Sequence, residues 1–384
     1  MAQRILMLHS SSDLYGASKI FLISALLLRD AGHQVDVVLS EEGPLSDKLR
    51  KEGLEVSIIR LGILRRKYFN VKGLLNRARI LRNAHSGIAD LVKEKRINHI
   101  YSNTSAVLLG AWVSRSLKVF HTWHIHEIIT KPRWLAAILG KIIGSSSDQI
   151  IVVSGAVKTF WSKYIPVKKL KVIYNGLHYG PYQDPIKLLR KELDINQDYL
   201  LIGMIGRVSH WKGQSYFLEI AGQLCQSYSN LVFIIVGDAF PGSEHLYEEM
   251  RLQIIKKGLE KRVHTLGFRS DIPEILAELD IFVLPSILPD PFPTVILEAM
   301  AAGKPIVATA HGGACEMVKE NETGYLIPWE NVSMAVTKMI PLIDDGKLRR
   351  AMGKSGRERV LEHFSLEAFR RNMERCFTLN LKKY

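Results

Sequence analysis

Cysteine is scarce and poorly placed for cross-linking. The chain has three, Cys225, Cys315 and Cys376, an odd and widely spaced set. That excludes a disulfide framework and the paired spacings of a structural zinc site, and it suits a reducing cytoplasm. Long apolar runs are missing too: nothing approaches the roughly 18 consecutive apolar residues of a spanning helix. The opening MAQRILMLHSSS is too short in its apolar part for a secretory signal and reads as a first β-strand. No low-complexity segment or short-period repeat occurs. No strand runs into G-x-G-x-x-G, since GMIG and LHSSSDLYG both fail that pattern, which argues against a dinucleotide-dependent dehydrogenase. Want of G-x-x-x-x-G-K-[ST] excludes a P-loop nucleotidase.

Acidic residues are in deficit. Asp and Glu number 38 against 52 Lys and Arg, a formal net charge of +14. Such a balance suits nucleic acid, an anionic membrane surface or phosphorylated small molecules. No nucleic-acid motif or interleaved aromatic–basic platform accompanies the charge, so no nucleic-acid partner is expected. The charge is densest in residues 64–82, LRRKYFNVKGLLNRARILR, where seven Lys/Arg alternate with apolar residues at helical spacing. That pattern fits an anionic lipid surface and equally a solvated helix with its apolar face on the core.

What is abundant is the alternation of short apolar runs with amphipathic stretches, the mark of βαβ units and parallel sheets. Candidate strands are 4–9, 35–40, 56–60, 99–102, 119–124 and 149–154 in the first half. The second half offers 200–206, 231–237, 263–267, 281–285, 305–309 and 325–328. A helix is expected over 18–31, stopped by Gly32. The Gly, Pro and polar residues of HYGPYQDP mark a break near 177–184. The 384 residues then divide into an α/β pair of Rossmann-like, doubly wound domains, 1–178 and 179–363, with residues 364–384 forming a carboxyl-terminal helix. Ligands of such folds bind at the carboxyl ends of the strands, and two such domains would share a cleft there.

The most informative stretch is PSILPDPFPTVILEAMAAGKPIVATAHGGACE, residues 285–316. A strand runs into a proline-rich loop and then a helix beginning near Pro293, where a missing N–H costs nothing. The amides of Thr294 and Val295 would then point outward as a phosphate site. Asp290 lies in the loop and Glu298 one turn inside the helix, so two carboxylates could hold a hydroxyl-rich ligand. A structural turn followed by a helix with a surface Glu fits the same residues. Upstream, Arg207 follows Gly206 at a strand end, with Lys212–Gly213 close behind. Cations fixed there can stabilise a diphosphate leaving group without a metal.

Taken together these segments resemble glycosyltransferase family 4, whose two-domain architecture is called GT-B. The resemblance implies that Glu298 binds the ribose hydroxyls of a nucleotide-sugar donor and that Asp290, where the family usually has Glu, lies near the transferred sugar. It implies that Arg207 and Lys212 clamp the donor phosphates and that His311, Gly312, Gly313 and Glu316 form the loop after the next strand. Phe268 and Arg269 fall where the family contacts the nucleobase. Gly16, in SSDLYGASK, matches a glycine-rich turn near donor and acceptor, with Tyr15 replacing a second glycine. His126–Glu127 in HTWHIHEI resemble the family's His–acid pair, His126 facing the transferred sugar and His124 being the competing assignment. Metal binding by His124, His126 and Glu127 finds no second ligand cluster. Ser154 and Asn175–Gly176 match connector motifs, and residues 366–381 match a helix crossing back to the first domain.

The activity so implied is retaining hexosyl transfer from a nucleotide-diphosphate sugar to a saccharide or lipid-linked acceptor in cell-surface polysaccharide synthesis. The leaving phosphate itself would take the acceptor's proton, with no metal and no further cofactor. The expected location is the cytoplasm or the inner face of the membrane. A catalytically silent nucleotide-sugar binder and a GT-B epimerase are the alternatives; a phosphorylase is disfavoured for want of a pyridoxal-phosphate lysine motif.

Overall fold

The computed structural model describes residues 2–62 and 71–378, with backbone only for 71–74. The chain divides into two compact units. One holds the chain up to Asn175 together with the segment from Glu367; the other runs Gly176–Leu366. The division falls three residues before the boundary expected after residue 178.

The first unit is built on a parallel sheet of β1 (Arg4–His9), β2 (Gln34–Leu39), β3 (Glu55–Ile58), β4 (His99–Asn103), β5 (Phe120–Ile125), β6 (Gln149–Val152) and β7 (Leu170–Val172), in the order 3-2-1-4-5-6-7. β7 is absent from the sequence reading. It has three residues, one of them a lysine, at the edge of the sheet, too short for an apolar run to register. Continuous apolar runs such as QIIV are buried on both faces, as parallel strands require. Helix Val71–Glu94 covers one face, with Ala84, Ile88 and Val92 packed on Leu6, Leu8 and Ile100. Residues 64–70 of the basic segment lie outside the described residues; its remainder opens this helix. Helix Gly16–Asp30 ends at Gly32, whose φ of +86° only glycine adopts without strain. From Glu367 on, the helix Leu366–Thr378 also belongs to this unit: Phe377 stacks on His99 at 4.9 Å between ring centroids.

The second unit repeats the plan with β8 (Leu200–Ile205), β9 (Leu231–Val236), β10 (Val263–Thr265), β11 (Ile281–Leu284), β12 (Ile306–Thr309) and β13 (Gly324–Ile327), in the order 10-9-8-11-12-13. Its core joins these strands to helices Gln214–Ser227 and Val332–Asp344 through Phe217, Leu224, Phe233 and Met339. Each sheet reverses direction of growth once, between β1 and β4 and between β8 and β11. Loops leaving those neighbouring strands diverge to opposite faces, and the crevice so opened is where doubly wound folds bind ligands.

Candidate active site

In the second unit the crevice between β8 and β11 collects the charged residues. Gly206 and Arg207 follow β8, and the Arg207 guanidinium lies 4.7 Å from the centre of the Phe240 ring. Gly213 has φ +82°, and a Cβ there would stand 1.9 Å from the Pro285 carbonyl oxygen. The turn after β8 therefore presses directly on the end of β11, and the Ile287 amide donates to the Trp211 carbonyl at 2.8 Å. This approach carries Lys212 Nζ to Asp290 Oδ2 at 2.5 Å, with both side chains nearly buried. The ammonium also sits 4.4 Å from the Trp211 ring centre. It keeps two further N–H donors for a ligand.

The loop bearing Asp290 is fixed from behind by the glycines after β12. Gly312 has φ +63°, and a Cβ would meet the Asp290 carbonyl oxygen at 2.2 Å. The Gly313 amide donates to that same carbonyl at 2.8 Å. His311 Nε2 donates to the Ser286 carbonyl at 2.6 Å, so this histidine braces the loop. Helix Thr294–Ala301 starts one residue later than expected: Pro293 is its cap, with extended backbone, and no side chain caps the end. The first-turn amides of Thr294 and Val295 thus lead a helix whose positive end is left to other partners. Glu298 lies in this helix, 7% exposed. Burial first, and the Glu298 charge second, push the Tyr182 phenol up and keep it protonated.

The structure thus brings together Arg207, Lys212, Asp290, Pro293, Thr294, Val295, Glu298 and Gly313 around the carboxyl ends of β8, β11 and β12. Phe268 and Arg269 follow the edge strand β10, whose end adjoins this group through Gly237: the Gly237 amide donates to the Gly267 carbonyl at 2.7 Å, and a Cβ on Gly237 would stand 2.1 Å from the Gly206 carbonyl oxygen. Phe268 is exposed. The Arg269 guanidinium is committed to Asp271 at 2.7 Å and Glu192 at 2.6 Å, and these carboxylates raise its pKa further.

In the first unit Gly16 opens helix Gly16–Asp30, and a Cβ there would have nothing within 4 Å. His126 follows β5 and is partly buried. Its Nε2 bonds Asn103 Oδ1 at 2.9 Å. His124, fully buried, bonds the Tyr101 hydroxyl at 2.5 Å through Nδ1. Burial pushes the His124 pKa down to about 3 and that of His126 well below 6.5. Glu127 Oε2 accepts from the amides of Ser105 (3.0 Å) and His126 (3.1 Å), while burial raises its pKa. Among the described residues no three His, Cys, Asp or Glu side chains gather into a metal-holding group, and no helix is long and apolar enough to cross a membrane.

Residues 16–179 match the model for Glycosyltransferase Family 4, and residues 185–359 that for Glycosyl transferases group 1. The chain belongs to glycosyltransferase family 4. This family 4 chain is similar to an Escherichia coli UDP-Gal:alpha-D-GlcNAc-diphosphoundecaprenol alpha-1,3-galactosyltransferase, 26% identical over 92% of this chain and 91% of that one. It is likewise 26% identical to a Campylobacter jejuni N,N'-diacetylbacillosaminyl-diphospho-undecaprenol alpha-1,3-N-acetylgalactosaminyltransferase, over 88% and 89% of the two chains. Among solved structures, Anabaena HepE in complex with UDP-glucose superposes with a TM-score of 0.86 at 26% identity, covering 98% of this chain and 99% of that one. The two doubly wound units are those of the GT-B fold.

Sequence reasoning on this family 4 glycosyltransferase missed His9, Asp13, Ser18 and Asn103, which join His126 in one network. His9 and Asn103 are polar residues ending apolar strands, a weak signal that only strand order turns into a cluster.

Proposed function

We propose that this glycosyltransferase moves a hexosyl group, with retention of anomeric configuration, from a uridine-diphosphate sugar to a saccharide or lipid-linked acceptor during cell-surface polysaccharide assembly. The observation that carries the reading is the convergence of Arg207, Lys212 and the uncapped start of helix Thr294–Ala301 at one strand-order reversal. A diphosphate needs that combination: two fixed cations and outward amides, in a site with Asp290 and Glu298 nearly buried beside it. The relatives' names support uridine and lipid-linked acceptors, since they speak of UDP-Gal, UDP-glucose and diphosphoundecaprenol sugars.

In this mechanism Arg207 and Lys212 neutralise the charge that grows on the β-phosphate as the anomeric bond breaks. Lys212 keeps its pairing to Asp290, which orients the ammonium, and spends its other protons on the phosphate. Glu298 accepts from the ribose hydroxyls, and Phe268 with the Arg269 backbone borders the base. The acceptor hydroxyl gives its proton to the departing phosphate, so leaving-group stabilisation is the main catalytic term and no metal is required. The amino-terminal unit takes the acceptor, with Gly16 and His126 toward the sugar, on the cytoplasmic face of a membrane.

A thermal-shift screen over UDP-, GDP- and ADP-sugars, followed by NMR of the product's anomeric proton, tests this. Stabilisation by UDP-hexoses and an anomer matching the donor's are expected. Stabilisation without any transfer would instead identify a silent binder, and no stabilisation by any of the three would reject the reading.

A further inference from the structure

Three neighbouring strands of the first unit, β1, β4 and β5, deliver a polar side chain each to the same place: His9, Asn103 and His126. Helix Gly16–Asp30 and the turn before it add Ser18 and Asp13. The distances link them in one line. His126 Nε2 meets Asn103 Oδ1 at 2.9 Å, Asn103 Nδ2 meets His9 Nδ1 at 3.0 Å, His9 Nε2 meets Ser18 Oγ at 2.9 Å, and Ser18 Oγ donates to Asp13 Oδ1 at 2.8 Å. Asp13 also takes the Ser11 hydroxyl at 2.8 Å and the Tyr15 amide at 3.1 Å.

The direction of every bond follows from the ends. A carboxylate only accepts, so the Ser18 proton goes to Asp13. Ser18 Oγ must then accept from His9 Nε2–H, which leaves His9 Nδ1 bare to accept from the Asn103 amide. The Ala17 carbonyl, 3.5 Å from Asn103 Nδ2, independently calls for a nitrogen at that position. Asn103 Oδ1 therefore faces His126 and accepts its Nε2–H. Four groups, His126, Asn103, His9 and Ser18, point their protons the same way, toward Asp13.

We propose that Asp13, Ser18, His9 and Asn103 are positioning residues that lock His126 as the Nε2–H tautomer and leave its Nδ1 a bare acceptor for a sugar hydroxyl. This deepens the reading that His126 faces the transferred sugar. In that state His126 recognises a hydroxyl by accepting a hydrogen bond from it, its own N–H being spent on Asn103. The groups around it keep it neutral. His124 lies 4.2 Å away ring to ring, His9 stands behind Asn103, and the Glu127 carboxylate is turned to the His126 amide rather than the ring. Burial first, then repulsion from His124 and His9, opposes protonation.

The test is histidine side-chain 15N NMR on the full-length protein, with His126 assigned through His126→Gln. Across pH 8 to 5.5 the His126 signals should stay those of a neutral Nε2–H ring. Ser18→Ala, which removes one hydroxyl and little volume, should mix the tautomers and lower kcat roughly tenfold or more, as loss of a group fixing a histidine tautomer does elsewhere. Its affinity for UDP should be unchanged. Asp13→Asn, which keeps the shape and removes the terminal acceptor charge, should do the same, and neither substitution should lower kcat further in His126→Gln. A His126 ring found as Nδ1–H or as the cation at pH 7 would overturn the proposal, as would wild-type kcat in both variants. The tautomer is read without turnover, so its failure and that of the transferase reading are separate results.

Discussion

Lys212 and Arg207 differ in what they already hold. Lys212 is paired to Asp290 and nearly buried, whereas the Arg207 guanidinium lies against the Phe240 face. On the proposed mechanism, removing either would leave the growing negative charge on the leaving phosphate short of a partner, at a cost of about 2–4 kcal/mol in the transition state. Arg207→Ala and Lys212→Ala should therefore each lower kcat by roughly 30- to 1,000-fold in a radiolabelled-sugar transfer assay. Arg269→Ala should behave differently. Its guanidinium is spent on Asp271 and Glu192, pairs that are partly exposed and contribute little to stability. Donor turnover within about twofold of wild type is expected, and a loss like that of Arg207→Ala would mean the pairs open for the nucleotide.

Elements decide where these residues go, and glycine decides how closely the elements approach. Gly312 is held at φ +63° against the backbone of Asp290. Gly312→Ala adds both a disfavoured dihedral and a 2.2 Å clash with a backbone atom that cannot swing aside. UDP affinity, measured by fluorescence or calorimetry, should fall at least tenfold while the far-ultraviolet circular dichroism stays that of the wild type. Unchanged affinity would show that the Asp290 loop does not shape the donor site. At this scale the sequence was readable where signals are local. Buried parallel strands print as apolar runs, and β1 was placed to the residue. The Gly-Arg, Lys-Gly and acid-pair motifs sit on strand ends and helix starts, which patterning marks. β7 was not readable because three residues with a central lysine carry no period. The His9–Asn103–His126 line was hidden for a different reason: its members are 94 and 23 residues apart in the chain, and only the strand order 1-4-5 makes them neighbours.

Across the whole molecule, buried histidines set the response to acid. Burial lowers His9 and His121 to about 4 and His99 and His124 to about 3, all within the first unit. Their folded pKa values lie below the unfolded value near 6.5, so the unfolded chain binds protons first as pH falls. The stability they permit is complete above about pH 6.5 and is lost downward toward 4 for His9 and His121 and toward 3 for His99 and His124; at pH 5 each costs about 2 kcal/mol. Tm should drop steadily from pH 7 to pH 5, and a flat profile would mean these rings are charged in the folded state. Charge acts at the surface as well. Helix Val71–Glu94 exposes Leu75, Arg79 and Arg82, all within the basic segment. Sedimentation with vesicles containing anionic lipid, weakened by salt, is the expected result, and equal recovery with neutral vesicles would remove the membrane from the account.

The claim on which the rest depends is that the second unit grips a nucleoside diphosphate with two cations and a helix start. Calorimetric titration of UDP into the wild type, Arg207→Met and Lys212→Met proteins measures that grip directly. Saturable one-to-one binding in the wild type, weakened at least tenfold in each variant with more loss at low salt than at high, is the outcome this site predicts. Equal affinity in all three proteins, or no heat of binding in the wild type, would contradict it.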